Sequence, residues 1–414
     1  MIVDGESRKP HDIESEFHYT TTRRLPIGKK REPLDVQEAE KLLKALELFS
    51  WEKRGSALLL AGWVAQARLS GALPIRPHVW LTGPKASGKS TVLKFVMTCL
   101  GSSKGYLKVQ GGTTAAGIRQ SLQADSIPVV YDEFEVLEGN HELERIMGLF
   151  RQSWSYTDAR IVKGTADGVA HSFCTNFSAL VGGIRVHFPN DADRSRFTVL
   201  ELKAHDSDLA QQRRIEDYLA GFDKEWGERL FLRSIKMIPV IKESAKILQS
   251  MITSKINQRF GAQLGALLAA GYSLLSDNVI PKSEAELALQ EVDFEDEAVE
   301  VCEKDEEHCL DWLLTKRIRV GGGSEAREKT IRRIIHDGND YELKELQSYG
   351  LRYSVEGNLA VAYRHTELQR LYQGTRWKSW ARSLRRLPDS EATATRLDGN
   401  LVRCIRFPLK RADA

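Results

Sequence analysis

The stretch Gly83-Pro84-Lys85-Ala86-Ser87-Gly88-Lys89-Ser90 matches the pattern G-x-x-x-x-G-K-S of a phosphate-binding loop. The glycines allow the backbone to curl until its N–H groups point at phosphate oxygens, and the helix that follows adds its positive N-terminal end. A short apolar strand precedes the loop and an apolar helix follows it, which is the context that such a loop requires. We therefore expect the loop and Thr91 to bind a nucleotide, with Lys89 on the β- and γ-phosphates and Ser90 on Mg²⁺.

A second motif, Val129-Val130-Tyr131-Asp132-Glu133, is an apolar strand that ends in two acids. An acid at such a strand end can lie beside Mg²⁺, which assigns Asp132 to the metal. Glu133 is then placed to orient and polarise the attacking water. A solvated strand end would explain two acids in isolation. After a phosphate-binding loop, however, the pair favours ATP hydrolysis coupled to mechanical work over a small-molecule kinase, with ATP and Mg²⁺ as cofactors.

Strands alternate with amphipathic helices through the middle of the chain, a pattern typical of a mostly parallel sheet with helices on both faces. The predicted fold class is α/β, a P-loop NTPase with a helical lid and a C-terminal α+β domain that resembles a winged helix. The predicted segments are a flexible leader (1–34), an N-terminal helical segment (35–75), the P-loop ATPase core (76–205), the helical lid (206–280), an acidic linker (281–307) and the basic C-terminal domain (308–414).

Local signals predict several element boundaries. Asp35 and Glu38 have the spacing of a capping box, which predicts that the first helix begins there. Residues 164–168 form a Gly-rich turn between two β-like segments, which is a hairpin signal. In the C-terminal domain we expect helices near 325–335 and 376–386.

Composition excludes several classes of protein. The chain has 414 residues, of which 42% are hydrophobic, so it can bury the cores of two or three domains. The longest apolar run, Ala57–Ala67, is too short to span a bilayer, so no membrane association is expected. The five cysteines form no C-x-x-C pair, which excludes a disulfide scaffold or a zinc ribbon and favours a reducing cytoplasm.

The net charge of +3 hides two opposed segments. Residues 284–307 contain twelve acidic side chains and one lysine, whereas residues 364–414 contain twelve basic and five acidic side chains. In the basic segment, Arg376, Lys378 and Arg382 are expected to pair with DNA phosphates, giving affinity without sequence choice. A solvated basic face, or one docked on the acidic segment, explains the same pattern.

Several stretches resemble phage and prophage primase–helicase ATPases, which are similar to ring-forming AAA+ and superfamily 3 helicases. The resemblance covers about residues 75–275, and more loosely the C-terminal domain around 374–377. It rests on Thr114–Gln120 (TAAGIRQ), Ile127–Glu135 (IPVVYDEFE), Arg151–Ser153 (RQS), Ala159–Thr165 (ARIVKGT) and Ala192–Arg196 (ADRSR).

The resemblance implies a homo-oligomeric ring, a hexamer, that unwinds DNA with ATP at a replication fork in a bacterial or phage-infected cell. A primase or another replication protein would be a further partner. Many relatives carry a primase module upstream; we expect none here, so primer synthesis is not implied.

The resemblance also assigns residues. The hairpin about Lys163 would project into the ring channel and grip DNA, although a single lysine in a turn is often plain surface. Arg196 would be an arginine finger that reaches the neighbouring subunit's γ-phosphate, with Arg194 as the second candidate. A salt bridge to Asp191 or Asp193 is the alternative role. Arg259 resembles a lid arginine that senses nucleotide.

One departure concerns the strand after the hairpin, Ala179–Arg185 (ALVGGIR), where relatives usually place a polar residue, often Asn, that positions the lytic water. Here Asn176 comes earlier and Arg185 later. No sensor residue is assigned on this strand.

Three functions remain open at this point. The first is an ATP-dependent DNA helicase or translocase that works as a ring. The second is an ATP-switched helicase loader or protein remodeller. The third is a non-catalytic, nucleotide-gated DNA-binding protein, against which the intact set of Lys89, Ser90, Asp132 and Glu133 counts.

Overall fold

A computed structural model describes most of the chain, and it divides into two compact units, 1–301 and 302–414. The described residues are 2–3, 6–7, 31–134, 141–155, 161–164, 170–188, 191–204, 209–293, 305–321, 327–375 and 377–410. Within them, no helix is long and apolar enough to cross a membrane.

The first unit begins with two helices that pack into its main core. Asp35 accepts the Glu38 backbone N–H, and the Glu38 side chain accepts the Asp35 backbone N–H, so the predicted capping box starts the first helix. The second helix is apolar on nearly all sides and almost entirely buried. Leu34, at the end of the expected flexible leader, is also buried. The elements are strands β1 (Ile2–Val3) and β2 (Glu6–Ser7), an antiparallel pair, then helices α1 (Val36–Glu47) and α2 (Ser56–Ala67).

A five-stranded parallel sheet forms the centre of the first unit, in the spatial order β4-β5-β8-β3-β9. An antiparallel ribbon, β6 with β7, stands apart from it. The strands are β3 (His78–Thr82), β4 (Leu107–Val109), β5 (Val129–Tyr131), β6 (Ile161–Gly164), β7 (Ala170–Phe173), β8 (Ala179–Gly182) and β9 (Phe197–Glu201).

Helices cover both faces of this sheet. Because successive side chains of a strand point to opposite faces, each strand contributes to two different cores. Val79 and Leu81 pack with α2, α3 and the helices from α8 to α10, whereas Trp80 packs with α4 and α5. The predicted α/β P-loop NTPase fold is confirmed. The helices are α3 (Lys89–Cys99), α4 (Ala115–Leu122), α5 (His141–Ser153), α6 (Asp191–Arg194), α7 (Leu209–Leu219), α8 (Lys224–Lys236), α9 (Ile238–Thr253), α10 (Gln258–Tyr272) and α11 (Lys282–Gln290).

The start of the predicted acidic linker is helix α11, which buries Ala285 and Leu289 against the first unit. Residues 294–304, in the rest of that segment, lie outside the described residues.

The second unit is α+β. A four-stranded antiparallel sheet in the order β12-β13-β15-β14 carries its core, and β10 pairs with β11. The elements are α12 (Asp305–Leu314), β10 (Arg317–Val320), β11 (Arg327–Thr330), α13 (Ile331–Asp337), α14 (Asp340–Glu345), a 3-10 turn (Leu346–Tyr349), β12 (Leu351–Tyr353), β13 (Asn358–Ala362), α15 (Thr366–Leu371), α16 (Trp380–Leu384), β14 (Glu391–Leu397) and β15 (Asn400–Pro408).

Two helices of this unit begin later in the sequence than predicted. Residues 327–330 form strand β11, because they pair with β10, and the helix begins only at Ile331. The helix expected at 376–386 is limited to Trp380–Leu384.

Candidate nucleotide-binding site and arginine cluster

The predicted phosphate-binding loop forms the turn between β3 and α3, and its backbone has the required curl. Gly83, Ala86 and Gly88 have positive φ angles of 147°, 62° and 88°. At Gly83 a Cβ would also lie 2.6 Å from the Leu202 carbonyl oxygen, so this position requires glycine. Helix α3 begins at Lys89, directly after the loop, so its positive N-terminal end faces the loop. The backbone therefore fits a nucleotide's phosphates.

Lys89 folds back into its own loop. Its Nζ donates to the carbonyl oxygens of Gly83 at 2.5 Å and Pro84 at 2.8 Å, and lies 3.5 Å from Ser87 Oγ. Burial lowers the pKa of Lys89 below its usual value. The ammonium group is thus already held where bound phosphates would replace the loop carbonyls as its partners. Ser90 and Thr91 are exposed on the first turn of α3.

Asp132 and Glu133 follow β5 directly, at the same edge of the sheet as the loop. Strand β8 lies between β5 and β3, so the two strand ends are about 10 Å apart. The register aligns Tyr131 with Val181 and Val181 with Trp80, which brings both ends to one level. Glu133 is exposed and has a φ of +59°, a conformation uncommon for a non-glycine residue.

Two glycines explain why β8 carries no polar side chain at this edge. A Cβ on Gly182 would lie 2.9 Å from Leu93 Cδ1 of helix α3 and 3.7 Å from Asp132 Oδ1. A Cβ on Gly183 would lie 2.5 Å from the Phe134 carbonyl oxygen. The space that a sensor side chain would need is therefore filled. Asn176 precedes β8 and so lies towards its opposite end, and Arg185 is exposed beyond it.

Arg196 lies at the opposite edge of the sheet from the phosphate-binding loop. It precedes β9, and the first residue of β9, Phe197, pairs with the first residue of β3, His78. From Arg196 to the level of Gly83 is six residues of parallel strand, or about 20 Å. Arg196 therefore cannot reach the phosphates bound by its own chain.

The surroundings of Arg196 are rich in positive charge. Its guanidinium lies 5.6 Å from the centre of the Trp154 ring and donates to the Ala192 carbonyl oxygen. Burial, and then the charges of Arg259 and Arg151, lower the pKa of Arg196 to about 10, against an opposing effect of Asp193.

A buried carboxylate anchors this cluster. Asp193 accepts two hydrogen bonds from Arg151, from Nε at 2.7 Å and Nη2 at 3.1 Å, and its side chain is 1% exposed. Such bidentate, charge-assisted pairs have fixed geometry. Arg194 has its guanidinium 5.4 Å from the Phe188 ring centre and donates to the Phe197 carbonyl oxygen. The anchoring role of Arg151 had no signal in the sequence beyond its place in the RQS stretch.

Arg259, predicted to be a lid arginine that senses nucleotide, lies beside Arg196. Its Nη1 donates to Ser195 Oγ at 3.1 Å. The start of α10 is held at this edge by Gln263, whose Nε2 donates to the His78 carbonyl oxygen at 2.8 Å and whose Oε1 accepts from Trp154 Nε1 at 2.7 Å. The structure does not bring Arg259 to the phosphate-binding loop. Sequence reasoning missed Gln263, since nothing local distinguishes it from other residues of an amphipathic helix.

The predicted DNA-contacting residues lie on two different units. Lys163 is in β6, where its backbone pairs with His171 of β7, and the turn at 165–169 lies outside the described residues. Its neighbour Val162 is 61% exposed, which is unusual for a β-branched apolar residue in a strand. Lys378 and Arg382 are exposed, and Arg376 lies outside the described residues.

Comparison with known proteins gives remote structural matches. No family model and no curated protein matches the chain. A Cytophaga hutchinsonii protein proposed to be an ATPase is 11% identical over 64% of this chain and 90% of that one, with a TM-score of 0.37. The C-terminal region of NrS-1 is 13% identical over 92% and 78%, with a TM-score of 0.39. The JCV helicase is 14% identical over 58% and 68%, with a TM-score of 0.30. These scores are low, so the fold assignment rests on the chain's own strand order and loop.

Proposed function

We propose that this protein is an ATP-dependent DNA helicase or translocase that works as a ring, a hexamer, at phage or prophage replication forks. One observation carries the proposal: the phosphate-binding loop and its two acids lie at one edge of the sheet, and the arginine cluster lies at the other. A site divided in this way is complete only where two subunits meet. Head-to-tail contacts of that kind form a ring where the rotation between successive subunits closes.

In the proposed site, each residue has a definite task. The loop backbone and Lys89 bind the triphosphate, and Ser90 and Asp132 hold Mg²⁺. The metal ion, when bound, neutralises negative charge that builds up on the phosphates. Glu133 orients the attacking water and accepts its proton. Arg196 of the neighbouring subunit supplies positive charge to the transition state, so hydrolysis is coupled to contact between subunits.

DNA binding is proposed at two places. The β6–β7 ribbon, through Lys163, would contact DNA phosphates in the ring channel. The basic side chains predicted for DNA in the second unit, exposed Lys378 and Arg382 together with Arg376, which lies outside the described residues, would add affinity without sequence choice. The sum of such contacts predicts binding that weakens steeply with salt.

A forked-DNA unwinding assay with ATP and Mg²⁺, run beside ATP hydrolysis with and without DNA, tests the proposal. The wild-type protein is expected to unwind the fork and to hydrolyse ATP faster with DNA. Lys89→Ala should lose nucleotide binding, and Glu133→Gln should bind nucleotide but not hydrolyse it. Lys94→Ala, which removes an exposed lysine of helix α3 outside the loop, is the matched control. Hydrolysis stimulated by DNA without unwinding would favour a translocase or a helicase loader over a helicase, and no hydrolysis would favour a nucleotide-gated binding protein.

A further inference from the structure

The relation between Arg259 and Arg196 assigns a role to Arg259 that its sequence context did not. Arg259 donates to Ser195 Oγ at 3.1 Å, and Ser195 is the residue next to Arg196. The charge of Arg259 is also felt at Arg196, where it contributes to the lowered pKa. The two guanidinium groups therefore belong to one local cluster.

The position of Arg259 is set by a rigid frame. Gln263, one turn further along α10, is 1% exposed and bonds to the backbone of β3 and to Thr198 Oγ1 of β9 at 3.1 Å. Both contacts are at the amino ends of these strands, because His78 and Thr198 are at or next to the first residue of each. The phosphate-binding loop follows the opposite end of β3. Arg259 is thus separated from the nucleotide site of its own chain by the length of strand β3.

The charge balance of the cluster calls for an anion. Among the described residues, the charges that act on Arg196 are those of Arg259, Arg151 and one carboxylate, Asp193, which Arg151 already engages through two hydrogen bonds. Arg259 is exposed and Arg196 is half-buried, so both remain reachable from outside the subunit. Guanidinium groups suit the oxygens of a phosphate, which they bind through parallel hydrogen bonds.

We propose that Arg259 acts in trans: together with Arg196, it binds the triphosphate held by the phosphate-binding loop of the neighbouring subunit. The inference rests on the proposed function, since it requires the ring, and it specifies that the nucleotide sensed by Arg259 is the neighbouring subunit's. The neighbour's γ-phosphate would thus meet two arginines from one subunit. Ser195 Oγ orients the second of them.

Mixing two impaired variants distinguishes an Arg259 that acts in trans from one that acts on its own chain's nucleotide. If both arginines act in trans, an equal mixture of Arg196→Ala and Arg259→Ala subunits has no interface with an intact pair, and hydrolysis lies between the rates of the two variants alone. If Arg259 served its own chain, interfaces with an intact Arg259 on one side and an intact Arg196 on the other would form. About a quarter of the wild-type rate would then return, and that result would overturn the inference.

A second mixture separates failure of this inference from failure of the proposed function. Arg196→Ala mixed with Glu133→Gln should recover about a quarter of the wild-type rate, because an intact Glu133 then meets an intact arginine pair at that fraction of interfaces. No recovery in this mixture would refute the shared site itself. Recovery here, with none in the first mixture, is the combination expected.

Two further measurements guard against a merely structural effect. Arg259→Ala alone should lower hydrolysis on the order of tenfold or more, a small part of what an arginine finger contributes, and Arg259→Lys should recover part of it. At dilutions where the protein is monomeric, Arg259→Ala should bind a fluorescent ATP analogue as the wild type does, whereas Lys89→Ala should not. Weaker binding by monomeric Arg259→Ala, or full hydrolysis by the assembled variant, would contradict the proposal.

Discussion

Gly183→Ala is the substitution that tests most directly how the carboxylate edge of the site is built. Gly183 follows β8, and its added Cβ would lie 2.5 Å from the carbonyl oxygen of Phe134. Ordinary contact begins at 3.4 Å, so the atom is about 0.9 Å too close. The obstacle is a backbone oxygen, which cannot turn aside as a side chain would. Phe134 must therefore move, and Glu133 precedes it.

The size of the effect follows from what has to shift. Overpacking of this kind costs about 1–3 kcal/mol. The Phe134 backbone N–H donates to the Gly182 carbonyl oxygen at 2.8 Å, and weakening that bond adds about 1 kcal/mol. A displacement near 1 Å at Glu133 is enough to lower turnover about 100-fold, since the attacking water would be misplaced.

Thermal unfolding and steady-state ATP hydrolysis measure both consequences. We expect the melting temperature to fall by about 5–10 °C, and turnover to fall much more than nucleotide affinity, which depends on the loop. Gly111→Ala is the matched control, because a Cβ there meets nothing within 4 Å. A Gly183→Ala protein with the stability and turnover of the control would refute this account of the strand end.

Four other substitutions give three independent predictions. Burial lowers the pKa of His78 to about 3, so the folded protein keeps this residue neutral, and its contribution to stability is lost as the pH falls from 6.5. Below pH 6.5, the free energy of unfolding measured with urea should therefore fall more steeply for the wild type than for His78→Asn, by about 1.4 kcal/mol per pH unit. Gly148→Ala should raise stability by up to about 1 kcal/mol, because a Cβ there meets nothing within 4 Å. Gly265→Ala should lower stability, since its Cβ would lie 2.9 Å from a backbone nitrogen of α9. Thermal unfolding compares the two variants, and a change in stability of the same sign in both would contradict this account of the packing. Asp193→Asn should release Arg151 and lower turnover at least about tenfold without changing nucleotide affinity. Steady-state kinetics should therefore show a lower kcat with an unchanged KM.

Features set by neighbouring residues were predictable from the sequence. The phosphate-binding loop depends on eight consecutive residues, and the capping box on residues three apart, so both were identified with correct positions. The strand that Asp132 directly follows is predicted in the same way. Each of these features is determined by residues that are close together in the sequence.

Features set by strand order were not predictable in this way. The placement of Arg259 depends on which edge of the sheet α10 packs against, and that follows from Gln263 bonding to β3, which is 185 residues away. The close approach at Gly183 likewise needs β8 to lie between β5 and β3. In the second unit, by contrast, the turn that joins β14 to β15 is Asp398-Gly399, a local signal typical of a tight hairpin.

The central claim is that the catalytic site is shared between two subunits. The most direct test measures ATP turnover per subunit across a range of protein concentrations, with sedimentation under the same conditions to give the fraction assembled. We predict that turnover per subunit rises in step with assembly, and that Arg196→Ala stays at the monomer's rate even when fully assembled. A dilute monomer that hydrolyses ATP as fast as the assembled protein would contradict the claim.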